Sequence, residues 1–389
     1  MEFIHFILNI VRSILGTRTY FKLGNIWHKF RGQEAARTTN VQDWKALLNH
    51  PHLDPILKTM MLSFEAHQRD NMISNYWKGL NDKHISQLLE LGFDNFKQNV
   101  ALNYFNWPLR EYNPQVKFLI KKLPRDTVSW AKQQAQSADH HEIFTPEQSQ
   151  YFNFVTFLLW KFVEKQGGQK LLDNLEEPLI GNPLAVRLNR KLISQDIANS
   201  VLEYQSMAKN GIDFQSTHTI LEIGAGYGRT AYVILRLNPH IRYIIVDIPP
   251  ALYIAQRYLS KIFPDRKIFH FRDFDKFSQV KDDFRSSDII FLMPFQLPKL
   301  PDNAVDLCIA IDCLHEMLPE TIDRYFDTFE RLGNSLYFKC SNEYTIPHDL
   351  ITLKEKDYPI RSHWKKIFWK TCLVQSSYFE TLLTLKPNK

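Results

Sequence analysis

The chain has 389 residues, of which 44% are hydrophobic and 23% are charged, a composition that excludes a disordered or fibrous protein and leaves room for two domains. The formal net charge of +6 is mild, because 48 basic residues are offset by 42 acidic ones. The four cysteines form no CxxC pair, which argues against a zinc site or a disulfide framework and favours a reducing cytoplasm.

The N-terminal stretch MEFIHFILNIVRSIL (1–15) has apolar residues at helical spacing, but it is too short and too polar to cross a bilayer. We expect an amphipathic helix that packs on the protein's own body, with peripheral contact at the inner face of a membrane as the alternative. Basic residues exceed acidic ones by seven to three in residues 1–50 and by eight to three in residues 351–389. This excess fits either an anionic partner or ordinary solvated charge.

Residues 1–190 are predicted to form a mostly helical N-terminal domain. Stretches such as DWKALLNHPHLDPILKTMMLSF and QYFNFVTFLLWKFVEKQGGQKLL place apolar residues at positions i, i+3, i+4 and i+7. Ser194 is the predicted N-cap of a helix that runs to about Ala208. This helix would begin the second domain, residues 191–389.

From residue 219 onward, short apolar runs alternate with helical segments. The predicted strands are TILEI, RYIIVD, DIIFLM, VDLCIAID and NSLYFKC. For the third strand we favour residues 288–293 over KIFHFRD (267–273), which ends in Asp273. Strands rich in Ile, Val and Leu that alternate with helices predict an α/β fold, a Rossmann-like parallel sheet with helices on both faces.

The turn after the first of these strands carries three glycines, Gly224, Gly226 and Gly228, and an acid, Glu222, precedes them. Glycine lets a backbone approach a ligand closely, and this turn lies at the strand end where open α/β sheets bind ligands. The dinucleotide fingerprint GxGxxG has its third glycine five residues after the first, whereas here the distance is four. A carboxylate at Glu222 would oppose a pyrophosphate and would suit a positively charged ligand.

The pattern E-x-G-x-G-x-G resembles the first motif of class I S-adenosylmethionine-dependent methyltransferases. That ligand carries a sulfonium and an ammonium and no phosphate. Asp247 ends the next strand, 23 residues after Gly224, where a carboxylate can accept both ribose hydroxyls of an adenosine. The resemblance implies S-adenosyl-L-methionine as the cofactor, with these binding residues: Glu222, Gly224, Ala225, Gly226, Tyr227, Gly228, Asp247, Ile248, Phe295, Gln296 and Asp312. An NAD-binding domain and a ligand-free Rossmann-like domain are the alternatives.

Candidate catalytic residues follow the strand VDLCIAID. His315 is the natural base near neutral pH, and Glu316 would orient it or bind hydroxyls of the acceptor. In the alternative interpretation His315 caps or packs the helix that follows. Glu343, in the loop after the fifth strand, is the second candidate for the base. The sequence suggests no metal site.

Six stretches resemble a narrower family, the sugar O-methyltransferases of bacterial polysaccharide clusters: LEEPLIGNP, ISQDIANSVLEY, ILEIGAGYGRTAYVIL, VDIPPALYIAQRYLS, LPDNAVDLCIAIDCLHEM and DYPIRSHWKKIFWKT. The resemblance implies an O-methyltransferase that acts on a sugar, nucleotide sugar or glycan, with the helical domain as an acceptor pocket, a lid or an oligomer contact. Trp364 and Trp369, in the last stretch, would stack on a pyranose or pack in the core. Methylation of RNA and a non-catalytic cofactor-binding scaffold stay open, although no nucleic-acid motif accompanies the basic ends.

Overall fold

The computed structural model describes residues 44–67, 73–98 and 114–386, so the predicted amphipathic helix at 1–15 lies outside the described residues. The described chain before residue 186 is helical and contains no strand, in agreement with the predicted helical domain. Its α-helices are α1 (Trp44–Leu47), α2 (Pro55–Ala66), α3 (Asn75–Leu91), α4 (Pro114–Lys122), α5 (Arg125–Ser137), α6 (Pro146–Val163) and α7 (Gln169–Asp173).

Several of these helices begin at side-chain caps that the sequence encodes. The Asp54 carboxylate accepts the Ile56 N–H at the start of α2, and the Ser74 hydroxyl accepts the Trp77 N–H at the start of α3. Ser194 caps helix α8 (Gln195–Lys209) as predicted, because its hydroxyl accepts the Ile197 N–H.

A short hairpin connects the two parts of the chain. Strands β1 (Val186–Leu188) and β2 (Lys191–Ile193) pair antiparallel, and the predicted domain boundary at residue 190 falls in the turn between them. Strands of three residues are too short to show the alternation of apolar and polar residues that predicts a strand.

The second half contains the predicted sheet, interleaved with helices. Its strands are β3 (Thr219–Ile223), β4 (Arg242–Val246), β5 (Ile268–Phe269), β6 (Ile289–Leu292), β7 (Leu307–Ile311), β8 (Ser335–Ser341), β11 (Lys365–Thr371) and β12 (Tyr378–Thr384), and a separate hairpin is formed by β9 (Glu343–Thr345) and β10 (Thr352–Lys354). The helices are α9 (Arg229–Leu237), α10 (Ala251–Ile262), α11 (Lys281–Ser286) and α12 (Pro319–Leu332).

The eight strands follow the order β11-β12-β8-β7-β3-β4-β6-β5. Strands β3 to β8 pair in parallel, and β6 lies beside β4, which confirms residues 288–293 as the core strand and leaves β5 at the edge. The sheet is mixed rather than fully parallel, because β12 runs antiparallel between β8 and β11. The short connection between β11 and β12 allows only an antiparallel pair, since a parallel pair needs a long crossover.

The sheet is Rossmann-like and is covered on both faces, as predicted. One apolar cluster lies on the face that contains Phe326 of α12 and Leu221 of β3. The other cluster is continuous from Leu57 of α2 through Trp160 of α6 to Ile220 of β3. The helical half and the sheet therefore share one core. Among the described helices, none is long and apolar enough to cross a membrane.

Candidate active site

A cavity of about 690 Å³ opens at the carboxyl ends of β3, β4 and β7. Parallel strands place their carboxyl ends at one edge of the sheet, which is where such folds bind ligands. The structure brings together at this cavity most of the residues that the sequence predicted for the site: Glu222, Gly224, Ala225, Gly226, Tyr227, Asp247, Ile248, Phe295, Asp312, His315 and Glu316.

The glycine turn after β3 forms one wall of the cavity. Gly224, Gly226 and Gly228 have φ angles of 67°, 59° and 89°, in the left-handed region that favours glycine. A Cβ on Gly224 would lie 2.5 Å from the Cβ of Cys313, so this turn is pressed against the end of β7. Gly228 lies outside the lining residues and packs on Leu259 of α10 instead.

Glu222 presents a buried carboxyl to the cavity. Its Oε2 accepts a hydrogen bond of 2.8 Å from the Tyr243 hydroxyl, and its side chain is 2% exposed. Burial raises the pKa of Glu222 to about 8, because desolvation penalises the charged form more than the Tyr243 hydroxyl favours it. Among the described residues no cationic side chain forms an ion pair with this carboxyl. The charge of Arg229 lowers this pKa in part, and a bound cation would lower it further.

Asp247, at the end of β4, ties the second strand to the glycine turn. Its Oδ2 accepts the Gly226 N–H at 2.8 Å, and its Oδ1 accepts the Ile248 N–H at 2.7 Å. Burial raises the pKa of Asp247 to about 7, although these two backbone donors lower it in part. Each carboxylate oxygen retains a lone pair for a ligand hydroxyl.

The two residues predicted near an adenine have different surroundings. Phe295 lines the cavity, but His67 stacks on its ring with the centroids 3.7 Å apart, so one ring face is already covered. Gln296 lies outside the lining residues. Its Oε1 accepts the Met293 N–H and its Nε2 donates to the Arg272 carbonyl, so the amide stabilises the 3₁₀ turn Pro294–Lys299.

A buried charge network lies below Asp312. Arg229 donates to both oxygens of Glu203 at 2.6 and 3.0 Å, and Lys339 Nζ lies 3.0 Å from Glu203 Oε1 and 3.3 Å from Asp312 Oδ2. Although burial alone would raise it, the two cations hold the pKa of Glu203 below its ordinary value. Asp312 has a φ of 58° and its Oδ1 has no partner among the described residues. The network therefore holds the charged side chains of Arg229, Asp312 and Lys339 in fixed positions at the cavity.

His315 is neutral at physiological pH. It is 2% exposed, and burial, with a smaller effect of Lys339, lowers its pKa to about 3. The rings of Tyr344 and Tyr378 pack edge-on against it at 4.8 and 5.8 Å. Its Nδ1 has no hydrogen-bond partner among the described residues, while its Nε2 lies 3.9 Å from Glu316 Oε1.

Glu316 is held by residues from both halves of the chain. Its carboxyl accepts side-chain hydrogen bonds from Trp77 of α3 and from Tyr344 of β9. Its backbone carbonyl accepts the Ser74 hydroxyl at 2.9 Å. Burial raises the pKa of Glu316 to about 8.

The other candidates from the sequence lie outside the cavity. Glu343 is exposed and faces Lys354 at 3.8 Å. Asp273 accepts the Ser63 hydroxyl at 2.7 Å. Trp364 is buried in the core and stacks on Phe326, and the partly buried Trp369 packs against the same core and stacks on Phe379. In the part of the chain that the structure describes, no group of His, Cys, Asp or Glu side chains is arranged to hold a metal ion.

Sequence reasoning missed several residues at the cavity. Arg229 directly follows the glycine turn, and its place in that motif was the available signal. Asp196 lines the cavity and accepts the Tyr227 hydroxyl at 2.5 Å, but its position two residues after the N-cap Ser194 indicated only the start of a helix. Ser74 and Trp77 gave no local signal, because they reach the cavity from a helix far away in sequence.

No family model matches the chain, and neither does any curated protein. Among solved structures, the chain is similar to the PH0226 protein from Pyrococcus horikoshii, at 15% identity over 50% of this chain and 92% of that one, with a TM-score of 0.34. A SAM-dependent methyltransferase from Aquifex aeolicus has 13% identity over 47% and 89%, with a TM-score of 0.31. The mitomycin 7-O-methyltransferase MmcR has 13% identity over 97% and 99%, with a TM-score of 0.36. At these identities and TM-scores, none of the three assigns an activity to this chain.

Proposed function

We propose that the protein is an S-adenosylmethionine-dependent O-methyltransferase. The observation that carries the proposal is Glu222, a buried carboxyl that forms no ion pair among the described residues and that lines the same cavity as the left-handed glycines and Asp247. A cation bound beside a buried carboxyl favours its ionised form and is attracted to it, whereas a pyrophosphate disfavours that form. The site therefore suits a nucleoside that bears positive charge and no phosphate.

The residues present fit this cofactor. Glu222 would compensate its positive charge, Asp247 would accept the ribose hydroxyls, and the backbone of Gly224 and Gly226 would allow close approach. The adenine would contact the ring face of Phe295 that is turned toward the cavity, since His67 covers the other face. When bound, S-adenosylmethionine supplies an electrophilic methyl group on its sulfonium.

His315 and Glu316 would act on the acceptor. An acceptor hydroxyl becomes strongly acidic as its oxygen gains a methyl group, so even a weakly basic imidazole can accept its proton. His315 is neutral above its pKa of about 3, and its Nδ1 is not used by any described residue. Glu316 lies beside it and would hold a hydroxyl of the acceptor in place.

We infer further that the acceptor is a sugar, a nucleotide sugar or a glycan of bacterial surface polysaccharide. The six sequence stretches that resemble the sugar O-methyltransferases support this inference. Two aromatic side chains at the cavity, Trp77 and Tyr378, support it as well, because aromatic faces pack against the apolar face of a pyranose.

Calorimetric titration with S-adenosylmethionine, and with NAD as the comparison ligand, tests the cofactor. We expect micromolar binding of the first and none of the second. Binding of NAD alone would overturn the proposal. The acceptor is tested by incubating the protein with methyl-labelled S-adenosylmethionine and a panel of nucleotide sugars, and then locating the label by mass spectrometry. Label on a non-sugar hydroxyl would retain the O-methyltransferase and reject the sugar.

A further inference from the structure

A second cavity, of about 240 Å³, lies between helix α8 and the turn that joins β11 to β12. Its volume is below the range of roughly 300–1,000 Å³ that is usual for drug-sized ligands, so it has room only for a smaller molecule. Three of its lining residues also line the candidate active site: Asn199, Lys339 and Gln375. The two cavities are therefore neighbours that share part of their walls.

The wall of the second cavity is polar although it is buried. Its polar or charged lining residues with less than a tenth of their surface exposed are Asn199, Glu203, Gln205, Ser206, Lys339, Gln375 and Glu380. A helix that covers a sheet normally turns apolar residues inward, whereas α8 turns Asn199, Glu203 and Ser206 toward this cavity. Buried polar groups need hydrogen-bond partners, so the cavity suits a polar occupant.

The buried charges at this wall are balanced by pairs. Lys339 Nζ lies 3.0 Å from Glu203 Oε1, and Lys370 Nζ lies 3.6 Å from Glu380 Oε1. The other lysine of the wall, Lys209, is exposed, and its Nζ donates to the Gln166 carbonyl at 2.9 Å. Among the described lining residues, each buried charge thus has an opposite charge beside it. An ion would disturb this balance, whereas a neutral ligand would not.

Two hydrogen-bonding atoms of the wall have no partner among the described residues, Gln205 Oε1 and Ser206 Oγ. The other end of the Gln205 amide is in use, because its Nε2 donates to the Gln166 carbonyl at 3.4 Å. Both unpartnered atoms are buried, so a partner can reach them only by way of the cavity that their residues line. An amide oxygen needs a donor and a serine hydroxyl can donate or accept, and alcohol hydroxyls satisfy both.

The rim of the cavity has an unusual backbone. Gln166 lies in the π-helical turn Glu164–Gly168, and its carbonyl accepts both the Gln205 amide and the Lys209 ammonium. Turns of this kind are rare and occur frequently at functional sites. The turn fixes the side of Gln205 that is left for a ligand.

We propose that the second cavity is a binding site for a small neutral molecule rich in hydroxyls, of the size of one sugar unit. Gln205 and Ser206 bind its hydroxyls, and the amides of Asn199 and Gln375 offer both donors and acceptors. Leu202 and Val374, which also line the cavity, contact its apolar C–H groups. The proposal concerns binding alone and does not depend on the proposed methyl transfer.

The variant Ser206→Ala tests the site because it removes one unpartnered hydroxyl and little else. The full chain is titrated with the methyl glycosides of glucose, galactose and mannose, and binding is followed by saturation-transfer NMR. We expect at least one glycoside to bind, and its dissociation constant to rise about 2- to 10-fold in Ser206→Ala through the loss of one hydrogen bond. The matched control is Ser260→Ala on α10, because the Ser260 hydroxyl also has no partner among the described residues but lines neither cavity. The control should retain the parent affinity.

Urea unfolding without ligand separates a binding effect from a folding effect. Neither variant removes a hydrogen bond within the described protein, so both should unfold at or above the parent urea midpoint. No binding of any glycoside by the parent at concentrations up to about 50 mM would overturn the proposal. An unchanged affinity in Ser206→Ala, with a loss in His315→Ala instead, would overturn it too, since the sugar would then lie in the candidate active site. Binding of inorganic phosphate in place of the glycosides, weakened by Ser206→Ala, would reject the neutral ligand. None of these outcomes bears on S-adenosylmethionine binding, which tests the proposed function separately.

Discussion

Replacing Gly224 with alanine tests how closely the glycine turn is packed against the end of β7. Gly224 has a φ of 67°, and a Cβ built on it would lie 2.5 Å from the Cβ and 2.8 Å from the Sγ of Cys313. An L-residue in the left-handed region costs roughly 1–2 kcal/mol, and an added atom in a packed interior costs roughly 1–3 kcal/mol. We therefore expect Gly224→Ala to lower the free energy of unfolding by about 2–5 kcal/mol.

The matched control is Gly167→Ala, which has the same type of backbone strain without the clash. Gly167 has a φ of 83°, and a Cβ on it would meet no atom within 4 Å. Its loss should be limited to the backbone cost of roughly 1–2 kcal/mol. Urea unfolding of both variants, followed by tryptophan fluorescence, measures the difference. Equal losses in the two variants would refute the close contact between the glycine turn and Cys313.

Three further predictions concern the predicted site residues. Asp247→Ala should weaken S-adenosylmethionine binding about 5- to 150-fold, because ribose hydrogen bonds worth roughly 1–3 kcal/mol are lost; calorimetry with an unchanged affinity would place the ribose elsewhere. His315→Ala should lower turnover roughly 10²–10⁴-fold with little change in cofactor affinity, and near-normal turnover would reject it as the base. Glu222 has a pKa of about 8 in the folded state, above the ordinary value of 4.5. Between pH 4.5 and pH 8 the folded protein therefore binds more protons than the unfolded chain does. Its free energy of unfolding should fall as the pH rises through this range. Urea unfolding at several pH values should show this fall, which is at most roughly 1.4 kcal/mol per pH unit. The fall should be smaller in Glu222→Gln. Equal dependence on pH in the variant and the parent protein would contradict the raised pKa of Glu222.

Local sequence patterns were sufficient to predict the centre of the fold and one wall of the site. The strand TILEI, the glycines after it and the acid that ends the next strand are neighbours in sequence, and their spacing carries the geometry. The apolar run at 288–293 was favoured over 267–273, and β6 indeed pairs with β4 while β5 has only two residues at the edge. A long apolar run can be buried on both faces, which a central parallel strand requires.

Long-range polar pairing could not be predicted. Glu203 lies on the helix before the sheet, and its partners Arg229 and Lys339 lie 26 and 136 residues further along the chain. In each of these three segments, a charged residue on the surface would give the same local sequence pattern as a buried, paired one. Gln296 shows the opposite error, because its nearness to the cavity in sequence suggested a ligand contact, whereas its amide is used by the backbone of its own turn and by Arg272.

The role of the helical half follows from the same contacts. A separate lid would meet the sheet domain through a polar surface that can open, but here one apolar cluster runs from α2 and α6 into the sheet. This half also contacts the sheet domain at three places: Asp54 pairs with Arg257 at 2.8 Å, His67 stacks on Phe295, and Ser74 donates to the Glu316 carbonyl after β7. The start of helix α3, with Ser74 and Trp77, therefore forms a wall of the cavity. We propose that the acceptor binds between this wall and His315, so that the helical half would contribute to acceptor selection.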